Sequence, residues 1–287
     1  MYLKVFRLCC WILLAGLCAC KVREEKNDEL YLELRLKEGE TYAMTMEMEQ
    51  SMEADVNSEL LLIDQYFNFD ILTTIIKDSA GQYVTDNRYQ RIVMNQSMAG
   101  EHDTTNFSID TDDLEYAESP SNNLLKYYGN LVTLSYQTRL EKNGTELYNN
   151  IEIINEEAGG KEFTSPFQKM FSYGVVFPGY VLKENDSWVR EVSVRDTGII
   201  VQGSIRYQLE TWDDEVVIIQ LKSRLKGRQA GVIGGGQVEL EQSGTMQLYR
   251  KSGWLKQADL EQSIRWVDNP AQENRLFGTV SIRSERQ

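Results

Sequence analysis

Alternation of apolar and polar residues runs along most of this chain and restricts its fold more than any other feature. Leu30, Leu32, Leu34 and Leu36 interleave with Tyr31, Glu33 and Arg35; Met44, Met46 and Met48 interleave with Thr45, Glu47 and Glu49. A period of two sends successive side chains to opposite faces, so each run predicts a strand with one buried face. Further strands are expected at Gln65 to Ile76, Tyr83 to Val93, Leu131 to Glu141, Thr145 to Ile154 and Trp188 to Arg195. Ile199 to Thr211, Glu215 to Leu225, Val238 to Arg250, Trp254 to Trp266 and Leu276 to Arg283 complete the set. Asn143-Gly144, Asp213-Asp214 and Ser252-Gly253 supply turn chemistry between strand pairs. Connections that short cannot join parallel strands, so antiparallel sheet is the expected architecture.

Two short helices are expected between the strands. Ser119-Pro120, then Asn123 to Tyr128 and Gly129, supplies a cap, a proline at the first helical position and a glycine stop. Ser165-Pro166, then Phe167 to Tyr173 and Gly174, follows the same grammar. Glu101 to Ser119, with Asp110, Asp112 and Asp113, reads as a solvated loop.

Leu36-Lys37-Glu38-Gly39-Glu40-Thr41-Tyr42 aligns with Leu182-Lys183-Glu184-Asn185-Asp186-Ser187-Trp188. Each copy is a leucine-led turn with acidic and hydroxyl residues, ending on an aromatic that opens a strand. The correspondence predicts two pseudo-equivalent halves, residues 30–160 and 161–287, meeting near Gly159 to Gly179. The expected class is mainly β, a β-dominated α+β fold of two pseudo-repeated curved antiparallel sheets with a few short helices.

The first 29 residues read differently. Lys4 and Arg7 precede an apolar run from Leu8 to Leu17, and the chain turns polar at Lys21. A basic start, a short apolar stretch and a small-residue processing site describe a secretory signal peptide over residues 1–19. The apolar run is about half the ~20 residues that a membrane-spanning helix requires. Leu17-Cys18-Ala19-Cys20 resembles a lipobox, with leucine three residues before the cysteine and a small residue just before it. Cys18 would place the bulky Leu17 at the cut, so Cys20 is the expected lipidation site. All four cysteines lie within the first 20 residues, so the expected mature chain has no pair for a disulfide. Each buried acyl methylene contributes about 0.8 kcal/mol, enough for two or three chains to hold the protein on a membrane. Lys21 to Glu29 is charged and aperiodic, so residues 20–29 are expected to form a lipidated tether.

Removing residues 1–19 takes Lys4 and Arg7 with them and moves the formal net charge from −14 to −16. Such a surface repels phosphate backbones, which removes the main source of nucleic-acid affinity. It also repels anionic headgroups, leaving the lipid on Cys20 as the expected membrane contact.

The lipobox, Leu36 to Tyr42, and Phe177-Pro178-Gly179 leading into Asp186-Ser187-Trp188 together resemble an uncharacterised lipoprotein family of Bacteroidota built on a domain of unknown function. Asn130 to Leu140 before Asn143-Gly144, and Gly244 to Gly253 before Trp254, resemble its strand-turn-strand segments. Asn185 departs from the pattern, standing where glycine is expected. The resemblance implies an envelope lipoprotein on the periplasmic face of the outer membrane or at the cell surface, and it carries over no catalytic residues. Lys21 followed by Glu24 and Glu25 is similar to the surface-export signal of that phylum, although Val22 and Arg23 displace the acids. Asp78-Ser79-Ala80 and Asp103-Thr104-Thr105 match its O-glycosylation tripeptide and equally match ordinary turns.

The chain's own constellations yield little chemistry. His102 is the only histidine and sits between Glu101 and Asp103, without a G-x-S-x-G elbow or a second histidine. Gly231-Val232-Ile233-Gly234-Gly235-Gly236 lacks the Lys-Ser/Thr of a phosphate-binding loop and precedes a strand, so it reads as a hairpin loop. Asp110-Thr111-Asp112-Asp113 lacks the glycine and glutamate of a calcium loop. Nothing singles out a carboxylate pair for glycoside hydrolysis.

Tyr66, Phe67, Phe69, Tyr207, Trp212, Trp254 and Trp266 serve either as sheet core or as the lining of a concave ligand site. The expectation is a non-enzymatic envelope module, without cofactor or metal, that binds a hydrophobic or lipid-like ligand or an envelope protein. The alternative is a surface structural or protein-interaction lipoprotein without a small-molecule site.

Overall fold

The computed structural model describes residues 29–56, 59–79, 82–100, 103–113, 128–129, 131–132, 135–147, 174–196, 199–229, 236–269 and 272–287. Its strands are β1 (Leu30–Tyr31), β2 (Thr41–Val56), β3 (Glu59–Ser79), β4 (Gln82–Ala99), β5 (Thr104–Asp110), β6 (Ser135–Glu141) and β7 (Glu146–Leu147). The second half contributes β8 (Val181–Leu182), β9 (Ser187–Asp196), β10 (Ile199–Trp212), β11 (Val216–Gln229), β12 (Gln237–Tyr249), β13 (Leu255–Asn269) and β14 (Gln272–Arg286). The mainly β, antiparallel class is what the structure shows.

Where the sequence leads to two curved sheets, a single ladder joins them. β14 pairs with β2 from Arg275 opposite Glu53 to Arg286 opposite Tyr42. The result is one 12-stranded sheet ordered β7-β6-β4-β3-β2-β14-β13-β12-β11-β10-β9, with β5 added on β4. Strands before residue 148 lie on one side of that seam and strands after residue 186 on the other. The expected boundary near Gly159 lies outside the described residues.

Several expectations need correction. Thr104 to Asp110, read as part of a solvated loop, is strand β5, and Ile109 on it is 1% exposed. Its apolar residues, Phe107 and Ile109, are too few for the alternation to stand out among polar neighbours. The strand expected from Leu131 begins only at Ser135, because Leu131 and Val132 belong to a helical turn. Tyr128 and Gly129 are also helical; most of that expected helix, and all of the one at Ser165 to Tyr173, lies outside the described residues. The Leu30 to Leu36 run pairs as a strand only at its start, against β8, yet all four leucines are buried.

That run and residues 174–182 cross one end of the sheet and fill it. Leu34 N–H donates to the Lys142 carbonyl at 2.7 Å, Arg35 N–H to the Ser252 carbonyl at 2.9 Å, and Phe177 N–H to the Asn143 carbonyl at 2.7 Å. The buried Tyr83 hydroxyl donates to the Leu34 carbonyl at 2.9 Å. Gly144 and Gly253, both at positive φ, take these close backbone passages: a Cβ there would strike the Val175 and Glu33 carbonyls. The turn dipeptides thus have a second role, admitting the plug. Tyr42 stacks on Trp254 at 4.8 Å, and Trp188 on Tyr207 at 5.4 Å, closing the same end with aromatic area.

The two turns with shared sequence are built alike. Glu40 N–H bonds the Lys37 carbonyl and Asp186 N–H the Lys183 carbonyl, while the Glu40 and Asp186 carboxylates accept from Lys37 N–H and Lys183 N–H. Gly39 and Asn185 have φ of 84° and 69°, and each donates its N–H to the strand beside it, at Ile75 and Leu209. Asparagine is the non-glycine residue best suited to that left-handed conformation, so Asn185 preserves the turn.

Candidate functional site

The long strands carry their apolar phase onto the inner face of the sheet, and one position in that phase is polar on strand after strand. Met44, Met46 and Met48 lead to Gln50 on β2; Phe69 and Phe67 lead to Gln65 on β3; Leu260 precedes Gln262 on β13; Leu240 precedes Gln242 on β12. The registers align these positions into a single row. Gln96 faces Gln65, Gln65 faces Gln50, and Gln50 faces Gly278 across the seam. Gly278 faces Gln262, Gln262 faces Gln242, and Gln242 faces Ser223. Phe107 on β5 closes one end of the row, and Ile205 followed by Arg190 extends the other.

This glutamine belt separates two apolar regions. On the plugged side lies the main core, including Met48, Phe67, Met94, Leu221, Leu260 and Val280. On the other side Val201, Leu225, Val238 and Leu240 form a second cluster, with Ile264 and Trp266 packed against it.

A cavity of about 1300 Å³ sits at the level of the belt. Residues of β3, β4 and β5 and residues of β11, β12 and β13 all line it, so the sheet curls until its two halves face each other across one space. Glu49, Asp64, Lys222, Glu241 and Glu261 also border it, but they alternate with the row and are exposed on the far side of their strands. None of the described cavity-lining residues in the inward phase is charged.

The belt is incompletely bonded. Gln65 Nε2 donates to Gln96 Oε1 at 3.0 Å, which settles that pair. Gln50 Nε2 reaches only the Met48 thioether at 2.8 Å, and Gln262 Nε2 the same sulfur at 3.8 Å, a weak acceptor. Gln242 and Gln262 are 8% and 3% exposed, yet Gln242 Nε2 and Gln262 Oε1 have no hydrogen-bond partner. Arg190, beyond the cavity's lining residues, lies against the Tyr207 phenol and also has one buried nitrogen unpaired. Burial pushes the Tyr207 hydroxyl up, an effect that Arg190 opposes.

A second polar island on the inner face contrasts with the belt. Thr73 Oγ1 donates to Asn87 Oδ1 at 2.8 Å, and Asn87 Nδ2 donates to Thr85 Oγ1 at 2.9 Å and to the Tyr136 carbonyl at 3.2 Å. These residues border a smaller cavity of about 210 Å³ beside the plug, and their polar groups satisfy one another.

Cys20, His102, and residues 231–235 of the glycine-rich segment lie outside the described residues. Asp110, considered for calcium, is tied to Arg91, which bonds both its oxygens and lies 3.4 Å from Asp112. The Arg91 hydrogen bonds hold the Asp110 carboxyl below its usual range. Lys226 and Arg224 likewise pull Glu239 down to about 2 on the outer face. Among the described residues, no group of three or more His, Cys, Asp or Glu side chains could hold a metal ion. No described helix is long and apolar enough to cross a membrane.

The aromatic residues fall mostly to the first of the two roles considered for them, sheet core. Phe67, Phe69, Tyr207 and Trp212 are core, Trp254 packs on Tyr42, and Trp266 packs against the second cluster. Tyr66 faces outward, with its hydroxyl 3.5 Å from Glu47. The belt is not evident from single strands, although its signal is in the sequence: a glutamine in the apolar phase of β2, β3, β4, β12 and β13. Registration between strands is needed to see that these glutamines form one row.

Among solved structures, the translocator domain of the autotransporter NalP from Neisseria meningitidis is similar at 6% identity and a TM-score of 0.36, over 87% of this chain and 90% of that one. An outer membrane channel from Pseudomonas putida F1 is similar at 11% identity and a TM-score of 0.25, over 88% and 97%. No curated protein matches the chain. Residues 80–255, from β4 to the start of β13, match a family model, and the chain belongs to the family of unknown function DUF6263.

Proposed function

We propose that this protein is a non-enzymatic binding module of the bacterial cell envelope, and that the cavity inside its curled sheet takes an amphiphile. Lipid on Cys20 would hold it to the outer membrane, on the periplasmic face or at the cell surface. The observation that carries the reading is the cavity of about 1300 Å³ set between two apolar clusters. The space exceeds the roughly 300–1,000 Å³ of common ligand pockets; the belt lines it with glutamines, and the apolar clusters on either side supply the surface for an acyl chain. The shifted carboxylates Asp110, Glu239 and Asp259 are all lowered, so none is tuned as a general acid.

The test is mass spectrometry of organic extracts from full-length protein purified out of the envelope, beside a Gln262→Trp variant that fills the belt. Wild type is expected to carry a stoichiometric amphiphile that the variant, folded by circular dichroism, lacks. Empty wild-type protein, or equal loading of the two, would refute the reading. The anchor has its own test in detergent phase partition. Cys20→Ala is expected to move from the detergent to the aqueous phase, and a variant that partitions as wild type does would exclude lipidation at that residue.

A further inference from the structure

We infer that the belt selects an uncharged amphiphile bearing both a hydrogen-bond donor and an acceptor, such as an amide- or hydroxyl-substituted acyl chain. The inference rests on the binding reading above and names the ligand class for that same cavity.

The first observation is complementarity. Gln242 and Gln262 face each other directly across β12 and β13, which places their backbones roughly 4.5–5.5 Å apart. The unpaired atom on Gln242 is a donor and that on Gln262 an acceptor, so one small group offering an acceptor and a donor answers both. An ester, which only accepts, leaves Gln262 Oε1 open; a pure hydrocarbon leaves both open. Reversing both amide ends together keeps the requirement for one donor and one acceptor.

Charge is the second observation. The inward-facing residues that line the cavity are glutamines, Ser223, Gly278 and Phe107, and none of those described is charged. A carboxylate between Gln242 and Gln262 would lose hydration, and Arg190, the cation at the end of the row, stands three strands away from Gln242 on β9, so a charged head is disfavoured at that pair. Position is the third. The belt lies between apolar clusters, which matches a polar group set within or at one end of a chain whose apolar parts contact both.

The experiment uses the complete mature chain with Cys20→Ala, loaded with Nile red, and three oleoyl probes that displace the dye. N-oleoylethanolamine offers donor and acceptor, methyl oleate only an acceptor, and oleate a charge. The ethanolamide is expected to bind on the order of tenfold tighter than the methyl ester, with oleate weaker than the ethanolamide. In Gln242→Leu/Gln262→Leu the ethanolamide is expected to lose that advantage while the methyl ester binds as well as before or better. Equal affinity for ethanolamide and methyl ester in the parent protein, preference for oleate, or an unchanged preference in the double variant would each overturn the inference while leaving a binding cavity. If none of the three displaces dye, the cavity is not a site for these chains and both readings fall.

Discussion

Gln242 and Gln262 occupy positions where the strand pattern calls for apolar side chains, and each leaves a polar atom unpaired. A buried amide that lacks a partner costs about 1–3 kcal/mol, whereas an apolar side chain of similar size avoids that cost. Substituting both by leucine is therefore expected to raise the stability of the ligand-free protein by about 1–3 kcal/mol, read as a higher urea midpoint at unchanged slope. The same change removes the selectivity assigned to the belt, so stability and binding should move in opposite directions. A lower midpoint would show that the two amides have a structural role in the empty protein. Thr73, Thr85 and Asn87, beside the plug, supply the contrast: they bond one another, and leucine at Asn87 should destabilise by leaving the Thr73 hydroxyl without its acceptor and the Tyr136 carbonyl without the Asn87 amide.

At the level of the element, strands with strong alternation were legible and their ends were not. Thr41 to Val56, Ile199 to Trp212 and Val216 to Gln229 alternate over many residues, so local pattern and tertiary burial agree. β5 was lost because only Phe107 and Ile109 mark its inward phase, and pairing with β4, a tertiary fact, makes it a strand. Leu30 to Leu36 gave the converse error. Its alternation is real and its leucines are buried, but its backbone bonds go to Lys142 and Ser252 rather than to a long ladder. Alternation reports burial of one face; hydrogen-bond partners decide whether that face belongs to a sheet. The turns show how a short likeness can hold more geometry than its letters: Gly39 and Asn185 differ, yet share a left-handed φ and equivalent bonds.

For the whole molecule, the belt required a registration that no single strand contains. Each half is largely a meander whose neighbours follow in sequence, but the row of glutamines crosses from one half to the other through β2 and β14, the first and last long strands. That pairing brings Gln50 beside Gly278 and sets β3–β5 opposite β11–β13 around the cavity. Gly278 is a close passage on that seam: a Cβ there would strike the Glu49 carbonyl and press on the Gln50 side chain. A β-branched residue at that point must push the strands apart, in the one long ladder joining the halves. Gly278→Val is thus expected to cost on the order of 1–3 kcal/mol and to disturb the seam before the meanders. Hydrogen exchange should show it, with amides of β2 and β14 losing protection first while those of β10 to β12 keep theirs. Nile red binding should fall in parallel, because the curl that encloses the cavity depends on the same ladder. Wild-type protection along β2 and β14 would mean that the seam accommodates the side chain, and that its curvature comes from elsewhere in the sheet.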